Sequence, residues 1–170
     1  TISYNMPTAK AVSAPAQDTT DTTTTEAPTT EAPTTEAPTT EAPVTEAPTS
    51  DLGQQIANFA CQFVGNPYVW GGTSLTNGAD CSGFVQSVYK NFGYSLPRTC
   101  TPQSNAGTAV SLAALAPGDL VFYDHGTGSC EHVGIYIGNG QIVHASSSRT
   151  GIKISNVNYS TPFKACRIVN

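Results

Sequence analysis

Two stretches in the chain have the spacing of apolar residues that is typical of amphipathic helices. Between residues 51 and 64, apolar side chains recur three and four positions apart, and Gly65 and Pro67 then interrupt the pattern. The same spacing returns over 82–92. A third, shorter helix is predicted near 102–115. The pattern thus predicts helices in the first part of the region that follows residue 50.

The pattern changes after residue 118, where short apolar runs alternate with polar turns. Such runs predict strands joined by hairpins. We expect strands at 120–123, 132–137 and 141–145, and weaker ones at 152–154 and 166–169. Helices followed by strands with short connections predict an α+β domain over 51–170, with its N-terminal helices packed on an antiparallel sheet.

Residues 1–50 have a different composition. From Thr24 to Pro48 the chain repeats the unit TTEAP four times and then VTEAP. Proline, threonine and glutamate at this density offer no apolar face to bury, so we predict a disordered, extended linker. Its function would be to hold the following domain at a distance, although a disordered tail without a function is the alternative.

Charge and hydropathy limit the partners of the chain. The net charge of −5 comes from the acidic first fifty residues, and the remainder is close to neutral without a basic stripe. We therefore expect no nucleic-acid partner. No run of about 18 apolar residues occurs, so we expect no membrane span. The sequence does not begin with Met, and we expect a secretory leader to lie upstream of it.

Cys81 stands where a reactive cysteine is expected. It begins the helix predicted over 82–92, and Asp80 is a suitable N-cap for that helix. A thiol at a helix N-terminus lies near the positive end of the helix dipole, which favours the thiolate. A buried structural cysteine or half of a disulfide is the alternative interpretation.

A cysteine nucleophile needs a base, and two histidines lie in neighbouring predicted strands. His132 begins HVGIYIG, and His144 lies in QIVHA. A three-residue loop at 138–140 would pair Gly134 with His144 and put both histidines on one face of the sheet, whereas a two-residue turn would separate them. We interpret His125, in a polar loop, as a solvated residue.

A zinc site is a weaker interpretation of the same residues. Cys81, Cys130, His132 and His144 could form a set of two cysteines and two histidines. No CxxC or HxxxH spacing supports it, and we predict no metal ligand.

Five motifs occur in the order found in NlpC-type cell-wall cysteine peptidases, and the region 52–170 resembles that family. They are PYVWGG (67–72), DCSGFV (80–85), SLPRT (95–99), PGDLVFY (117–123) and HVGIYIGNGQIVHA (132–145). The resemblance implies a papain-like α+β fold. It also implies hydrolysis of peptidoglycan stem peptides, typically at the bond between γ-linked D-glutamate and the following diamino acid.

The resemblance implies specific roles for seven residues. Cys81 is similar to the family's nucleophile, His132 to its base and His144 to the polar residue that orients the base. The implied substrate-binding residues are Tyr68, Asp80, Ser82 and Arg98.

The remaining cysteines depart from the family pattern. The resemblance puts Cys100 and Cys130 beside the active site, so we favour a disulfide between them, with Cys61–Cys166 as a second one. Four reduced thiols are the alternative.

The resemblance therefore predicts a secreted cysteine endopeptidase of the cell wall that acts without a cofactor, through a thioester intermediate. We expect a monomer whose partners are peptidoglycan stem peptides. An amidase that cuts the sugar–peptide junction is one alternative, and an inactive wall-binding module is another.

Overall fold

The computed structural model describes residues 51–170. Helix α1 (Asp51–Cys61) begins this region and buries Ile56, Ala57 and Ala60 on one face. It ends three residues before the predicted boundary, and turns continue to Gly65. The linker predicted at residues 1–50 lies outside the described residues.

Helix α2 (Cys81–Asn91) carries the apolar face that the sequence predicts. Phe84, Val85 and Val88 are fully buried on it. The face packs on the sheet described below, as does that of α1. Burial of each such side chain contributes roughly 1.5–3 kcal/mol to the stability of the fold. Packing of this face on the sheet therefore fixes the position of α2, including its first residue.

The helix predicted near 102–115 does not form beyond Gln103. Helix α3 (Cys100–Gln103) has only four residues, and Thr108 and Ala109 instead form a short strand. That strand pairs with the last strand of the chain, through Arg167 and Cys166. Long-range backbone pairing therefore overrides a weak helical pattern.

The strands form one two-stranded and one six-stranded sheet. They are β1 (Thr73–Ser74), β2 (Gly78–Ala79), β3 (Thr108–Ala109), β4 (Leu120–Tyr123), β5 (His132–Gly138), β6 (Gln141–Ser147), β7 (Gly151–Asn156) and β8 (Pro162–Arg167). The larger sheet has the order β3-β8-β4-β5-β6-β7, and all its neighbours are antiparallel. The predicted α+β, papain-like fold is confirmed, although β8 begins four residues before the predicted strand.

The β5–β6 hairpin has the register that the sequence predicts. Ile135 lies opposite Val143, so Gly134 and His144 occupy the next opposite positions. His132 is then a diagonal neighbour of His144 on one face of the sheet. A Cβ atom on Gly134 would lie 2.7 Å from Ile142 Cδ1 and 3.3 Å from the Cβ of His144, so the glycine leaves room for these two side chains.

The turn of this hairpin is not the predicted three-residue loop at 138–140. Gly138 pairs with Gln141, which leaves Asn139 and Gly140 as a two-residue turn with φ angles of 53° and 69°. Both positive values are typical of the tight hairpin turn. A β-bulge just before Gly138 adds the residue that the tighter turn removes. The turn prediction was wrong, but the bulge preserves the register.

One of the two predicted disulfides is present. Cys100 and Cys130 are bonded, with their Cα atoms 5.7 Å apart. The Cys61–Cys166 bridge is wrong, because both thiols are free. The Cys166 thiol donates to the carbonyl oxygen of Gln103 at 3.6 Å, so its side chain is directed at α3 rather than at α1.

Candidate active site

Cys81 is the first residue of α2, and its neighbours fix the start of the helix. Asp80 caps the helix through its Oδ1 atom, which accepts a hydrogen bond from the amide of Gly83 at 2.7 Å. A Cβ atom on Gly83 would overlap with the carbonyl oxygen of Gly72. The loop before the helix therefore packs directly on its first turn, which positions Cys81.

The sulfur of Cys81 lies against the beginning of β5. The thiol donates to the carbonyl oxygen of Glu131 at 4.0 Å, and the amide of Val133 donates to the sulfur. These two residues flank His132 in the chain. The fold thus brings the candidate nucleophile to the candidate base, 51 positions later in the sequence.

The pKa of Cys81 is raised in this environment. Burial is the largest cause, and the negative charge of Asp80 adds to it, whereas the amides of Val133 and Ser82 oppose both. The helix start was expected to favour the thiolate, but desolvation outweighs it. Cys81 is therefore a neutral thiol in the free protein.

Two imidazoles and a hydroxyl form a chain across three strands. His132 Nε2 lies 2.7 Å from His144 Nδ1, and His144 Nε2 lies 2.9 Å from Ser155 Oγ. His132 is 8% exposed and His144 is fully buried. Each pair consists of diagonal neighbours in adjacent strands, so the chain follows from the register of β5, β6 and β7.

Both imidazoles are held in their neutral form. Burial lowers the pKa of His132 to about 4, with a smaller contribution from His125. Burial also lowers the pKa of His144 to about 3, with smaller contributions from His132 and Lys153. Near neutral pH, both rings can therefore accept a proton.

Aromatic rings surround the two histidines. The Tyr159 ring lies 5.1 Å from His144 and 6.4 Å from His132, and the Tyr123 ring lies 6.1 Å from His132. His125 is exposed, as predicted, but its ring lies only 6.4 Å from that of His132. The two tyrosine rings are thus part of the surroundings that bury the pair.

Asp80 and Arg98 form a bidentate ion pair beside Cys81. Two guanidinium nitrogens of Arg98 donate to the two carboxylate oxygens at 2.9 and 2.6 Å, and one also donates to Ser82 Oγ at 3.0 Å. Burial alone would raise the pKa of Asp80. The hydrogen bonds from Arg98, Gly83 and Gly71 outweigh it, so the net pKa of Asp80 is lowered.

Tyr68 lies next to this ion pair. Its backbone forms an isolated bridge with Ala79, and its side chain is half-buried. Burial raises the pKa of Tyr68, the negative charge of Asp80 and that of the ionised form of Cys81 raise it further, and Arg98 opposes them. The phenol therefore remains protonated and can act as a hydrogen-bond donor.

A cleft of about 770 Å³ opens beside Cys81. Its lining residues are Trp70, Gly71, Asp80, Cys81, Ser82, Arg98, Thr99, Cys100, Thr101, Cys130 and Glu131. Four of the residues predicted for the site are thus on its surface. His132 and His144 are buried at the beginning of β5 and in β6, and Tyr68 lies near Cys81, Asp80 and Arg98.

Sequence reasoning missed four residues at this site. Ser155 could have been found by extending the diagonal rule from β6 to β7. Trp70, 87% exposed at the edge of the cleft, lies within the PYVWGG motif but was not singled out. Tyr159 and Glu131 had no signal, because one follows β7 in a loop and the other precedes β5.

Residues 51–170 contain neither a metal-binding cluster nor a membrane-spanning helix. No group of three or more His, Cys, Asp or Glu side chains in this range could hold a metal ion. No helix of the same range is long and apolar enough to cross a membrane.

Over most of residues 51–170, the chain is similar to members of a known protein family. The model of the NlpC/P60 family matches residues 65–169. A gamma-D-glutamyl-L-lysine dipeptidyl-peptidase of Bacillus cereus is 42% identical over 105 residues, which are 61% of this chain and 31% of the relative. A probable endopeptidase p60 of Listeria innocua is 45% identical over 98 residues, 58% of this chain and 20% of the relative. The chain thus matches about a third or less of these relatives.

Solved structures agree with the sequence matches. An NlpC/P60 family protein from Bacillus cereus has a TM-score of 0.66 and 37% identity, covering 72% of this chain and 42% of that one. The NlpC/p60 domain of the peptidoglycan hydrolase SagA has a TM-score of 0.62 and 36% identity, covering 67% of this chain and 97% of that one. This chain belongs to the NlpC/P60 family.

Proposed function

We propose that this protein is a secreted cysteine endopeptidase that cleaves peptidoglycan stem peptides at the bond between γ-linked D-glutamate and the diamino acid. The observation that carries the proposal is the contact between the Cys81 sulfur and the residues that flank His132. The names of the relatives, a γ-D-glutamyl-L-lysine peptidase and a peptidoglycan hydrolase, support the substrate class.

One set of tautomers lets the histidines work as a base. His132 Nε2–H donates to His144 Nδ1, and His144 Nε2–H donates to Ser155 Oγ, over the distances of 2.7 and 2.9 Å. This set leaves His132 Nδ1 without a proton. His132 Nδ1 then takes the proton of Cys81 as the sulfur attacks. Since the free thiol is neutral, the proton transfer and the attack belong to one step.

Hydrolysis then proceeds through a thioester. The sulfur of Cys81 bonds to the carbonyl carbon of D-glutamate, and the imidazolium of His132 gives its proton to the departing amine. The same imidazole next removes a proton from water, which attacks the thioester and releases the carboxylate. The amide of Cys81 and the hydroxyl of Tyr68 stabilise the oxyanion. His144 orients the ring of His132 throughout.

The substrate lies in the cleft beside Cys81. Ser82 and Arg98 reach its surface, and Trp70 offers an exposed aromatic face to the peptide. We propose that Ser82 and Arg98 bind the acyl part of the stem peptide. Both oxygens of Asp80 already accept hydrogen bonds from Arg98, so Asp80 acts by holding that side chain in place.

The site of action follows from the substrate. Peptidoglycan lies outside the cytoplasmic membrane, so we propose that the protein works as a monomer in the cell wall, with the segment 1–50 as its linker. The matched relatives are much longer than the shared region, and this proposal concerns the activity of residues 51–170.

Replacement of Cys81 tests the proposal. Wild-type protein, Cys81→Ser and the control Cys61→Ser are incubated with purified muropeptides, and new termini are identified by mass spectrometry. Cys61 is a free thiol that does not line the cleft. We expect cleavage after D-glutamate by the wild type and by Cys61→Ser, and a loss of at least about 10⁴-fold in Cys81→Ser.

Two outcomes would contradict the proposal. New termini at the sugar–peptide junction would identify an amidase instead. Absence of any product from the wild-type protein would favour a wall-binding module.

A further inference from the structure

A disulfide connects two sides of the cleft beside Cys81. Cys100 is the first residue of α3, and its partner Cys130 lies in the loop between β4 and β5. Both cysteines line the cleft, and so do their neighbours Thr101 and Glu131. Cys130 is partly exposed, whereas Cys100 is 8% exposed. A small molecule that enters this cleft of about 770 Å³ therefore meets the disulfide in its wall.

The loop that carries one of the two cysteines, residues 124–131, is held mainly by bonds within itself. The side chain of Asp124 accepts hydrogen bonds from two backbone amides of the loop, at 3.0 and 3.2 Å. Thr127 Oγ1 donates to the carbonyl oxygen of Asp124 at 2.8 Å. Among the residues that the structure describes, no hydrogen bond or ion pair joins this loop to α3. The disulfide is thus the connection between them.

Helix α3, in contrast, is fixed to the start of α2. The Gln103 side chain is fully buried, and its Nε2 atom donates to the carbonyl oxygen of Ser82 at 2.9 Å and to that of Pro97 at 2.8 Å. Ser82 follows Cys81 in the chain. The disulfide therefore attaches the loop to a helix that is itself bound to the segment of the candidate nucleophile.

The loop also reaches the reacting sulfur. The carbonyl oxygen of Glu131, the residue after Cys130, lies 4.0 Å from Cys81 Sγ. His132 follows directly, but it has a separate support, because its Nε2 atom lies 2.7 Å from His144 Nδ1. Breaking the disulfide should therefore loosen one side of the cleft while the histidine pair keeps its place.

We propose that the Cys100–Cys130 disulfide is a redox-controlled site that determines how tightly the cleft binds its substrate, and that a dithiol is the reductant. This inference rests on the proposed function. One thiolate of the dithiol attacks a sulfur of the disulfide, and its second thiol displaces the remaining protein sulfur. Two electrons and two protons pass to the protein, which gains two thiols, and the dithiol becomes a cyclic disulfide. The loop is then free of α3, and the substrate must order it on binding.

Steady-state kinetics on L-Ala-γ-D-Glu-L-Lys tests the proposal in two dithiothreitol buffers, one mostly oxidised and one mostly reduced. Alkylation in denaturant with mass spectrometry should count three free thiols in the oxidised protein and five in the reduced protein. We expect KM to be about tenfold higher in the reduced buffer, because ordering a freed loop costs binding energy of that size. Reoxidation should restore the lower KM. The change in kcat should be smaller, since His132 and His144 keep their contact.

Two variants serve as controls. Cys100→Ser combined with Cys130→Ser keeps Cys81 and lacks the disulfide, so it should have the KM of the reduced wild type in both buffers. Any effect of the buffers on Cys81 itself would appear in this variant as well. Cys61→Ser removes a free thiol that does not line the cleft, so it should respond to the buffers as the wild type does. If the double variant does not fold, the dependence of KM on the thiol count of the wild type decides.

Several outcomes would overturn the role of the disulfide. They are an unchanged KM in wild type with five free thiols, a disulfide that stays intact in the reduced buffer, and a double variant whose KM rises between the buffers as that of the wild type does. A fall in kcat with KM unchanged would also overturn it, because loss of folded protein has that effect. If the wild type cleaves the peptide in neither buffer, the proposed function is itself contradicted, and the role of the disulfide with it.

Discussion

The two walls of the candidate active site are built in different ways. The helix wall consists of Asp80, Cys81, Ser82 and Arg98, and an ion pair with several backbone hydrogen bonds stabilises it. The sheet wall consists of His132, His144 and Ser155, and it contains no ionised group near neutral pH. The first wall is charged and partly exposed, whereas the second is neutral and both of its imidazoles are buried.

This difference suits the chemistry of a neutral thiol. A base must be able to accept a proton, and the lowered pKa of His132 keeps its ring unprotonated. The single carboxylate of the helix wall is neutralised by Arg98, which limits its effect on the pKa of Cys81. The helix wall therefore depends on charge pairing, and the sheet wall depends on strand register.

The largest effect is expected from removing the base of the sheet wall. His132→Ala should lower kcat by about 10³-fold or more, because general base catalysis contributes roughly 10²–10⁴-fold. His144→Ala should lower kcat by about 10–100-fold, because an orienting group contributes less than the base that it orients. Steady-state kinetics on a stem peptide measures both, with circular dichroism to verify folding. Equal losses in the two variants would contradict the assignment of His132 as base.

The helix wall could be predicted from the sequence because its parts are local. Asp80 and Cys81 are adjacent, and the apolar spacing after them specifies a helix at that point. Only Arg98 is distant, and it was found through the family motif. Such local patterns predict the structure well because the N-cap and the first turn of the helix involve the same few neighbouring residues.

The sheet wall was harder to predict because register is a long-range property. The shared face of His132 and His144 was predicted correctly, but the prediction assumed a three-residue loop that does not form. Whether two residues in neighbouring strands share a face depends on how many residues separate the paired positions of the hairpin. A two-residue turn with a β-bulge contains the same number of residues as a three-residue loop, so the two give the same register. Ser155 could be found only by carrying the same register argument on to β7, and the free Cys166 depends on packing of β8, for which the sequence has no comparable signal.

A change of pH should separate the two walls. His132 and His144 have folded-state pKa values of about 4 and 3, against an ordinary value of 6.5. Their contribution to the free energy of unfolding is therefore fully present above pH 6.5. That contribution is lost as the pH falls towards the folded-state values, because the unfolded chain binds protons that the folded protein excludes. We expect a loss on the order of 2–3 kcal/mol from the pair between about pH 6.5 and 5.

Thermal unfolding at constant ionic strength measures this loss. His144→Gln should flatten the dependence between pH 6.5 and 5, since glutamine does not titrate. The pKa of Asp80 is lowered from 3.8, so the contribution of the helix wall is lost only below about pH 4. An unchanged slope in His144→Gln would show that His144 does not contribute to the effect.

Removal of the ion pair should destabilise the helix wall more modestly. Arg98→Ala leaves the mostly buried Asp80 carboxylate without its counterion. Because Arg98 is 34% exposed, we expect a loss of about 1–2 kcal/mol, below the value for a fully buried pair. Urea unfolding measures it, and Arg98→Ala combined with Asp80→Asn should be less destabilised than Arg98→Ala alone. A double mutant as unstable as the sum of its parts would mean that the two side chains do not interact.

The smallest effect is expected at the end of the histidine chain. Ser155→Ala removes the acceptor for His144 Nε2–H and leaves both imidazoles buried. His144 then loses one of the two hydrogen bonds that fix its ring, so we expect kcat to fall by about 3–10-fold with KM unchanged, the equivalent of a single neutral hydrogen bond. Ser155→Thr should restore kcat, because threonine keeps the hydroxyl and suits a strand. A structural defect in β7 would instead lower stability in both variants, so urea unfolding distinguishes the two causes. If Ser155→Ala retains the wild-type kcat, Ser155 has no role in orienting the two histidines. The sheet wall would then depend on β5 and β6 alone.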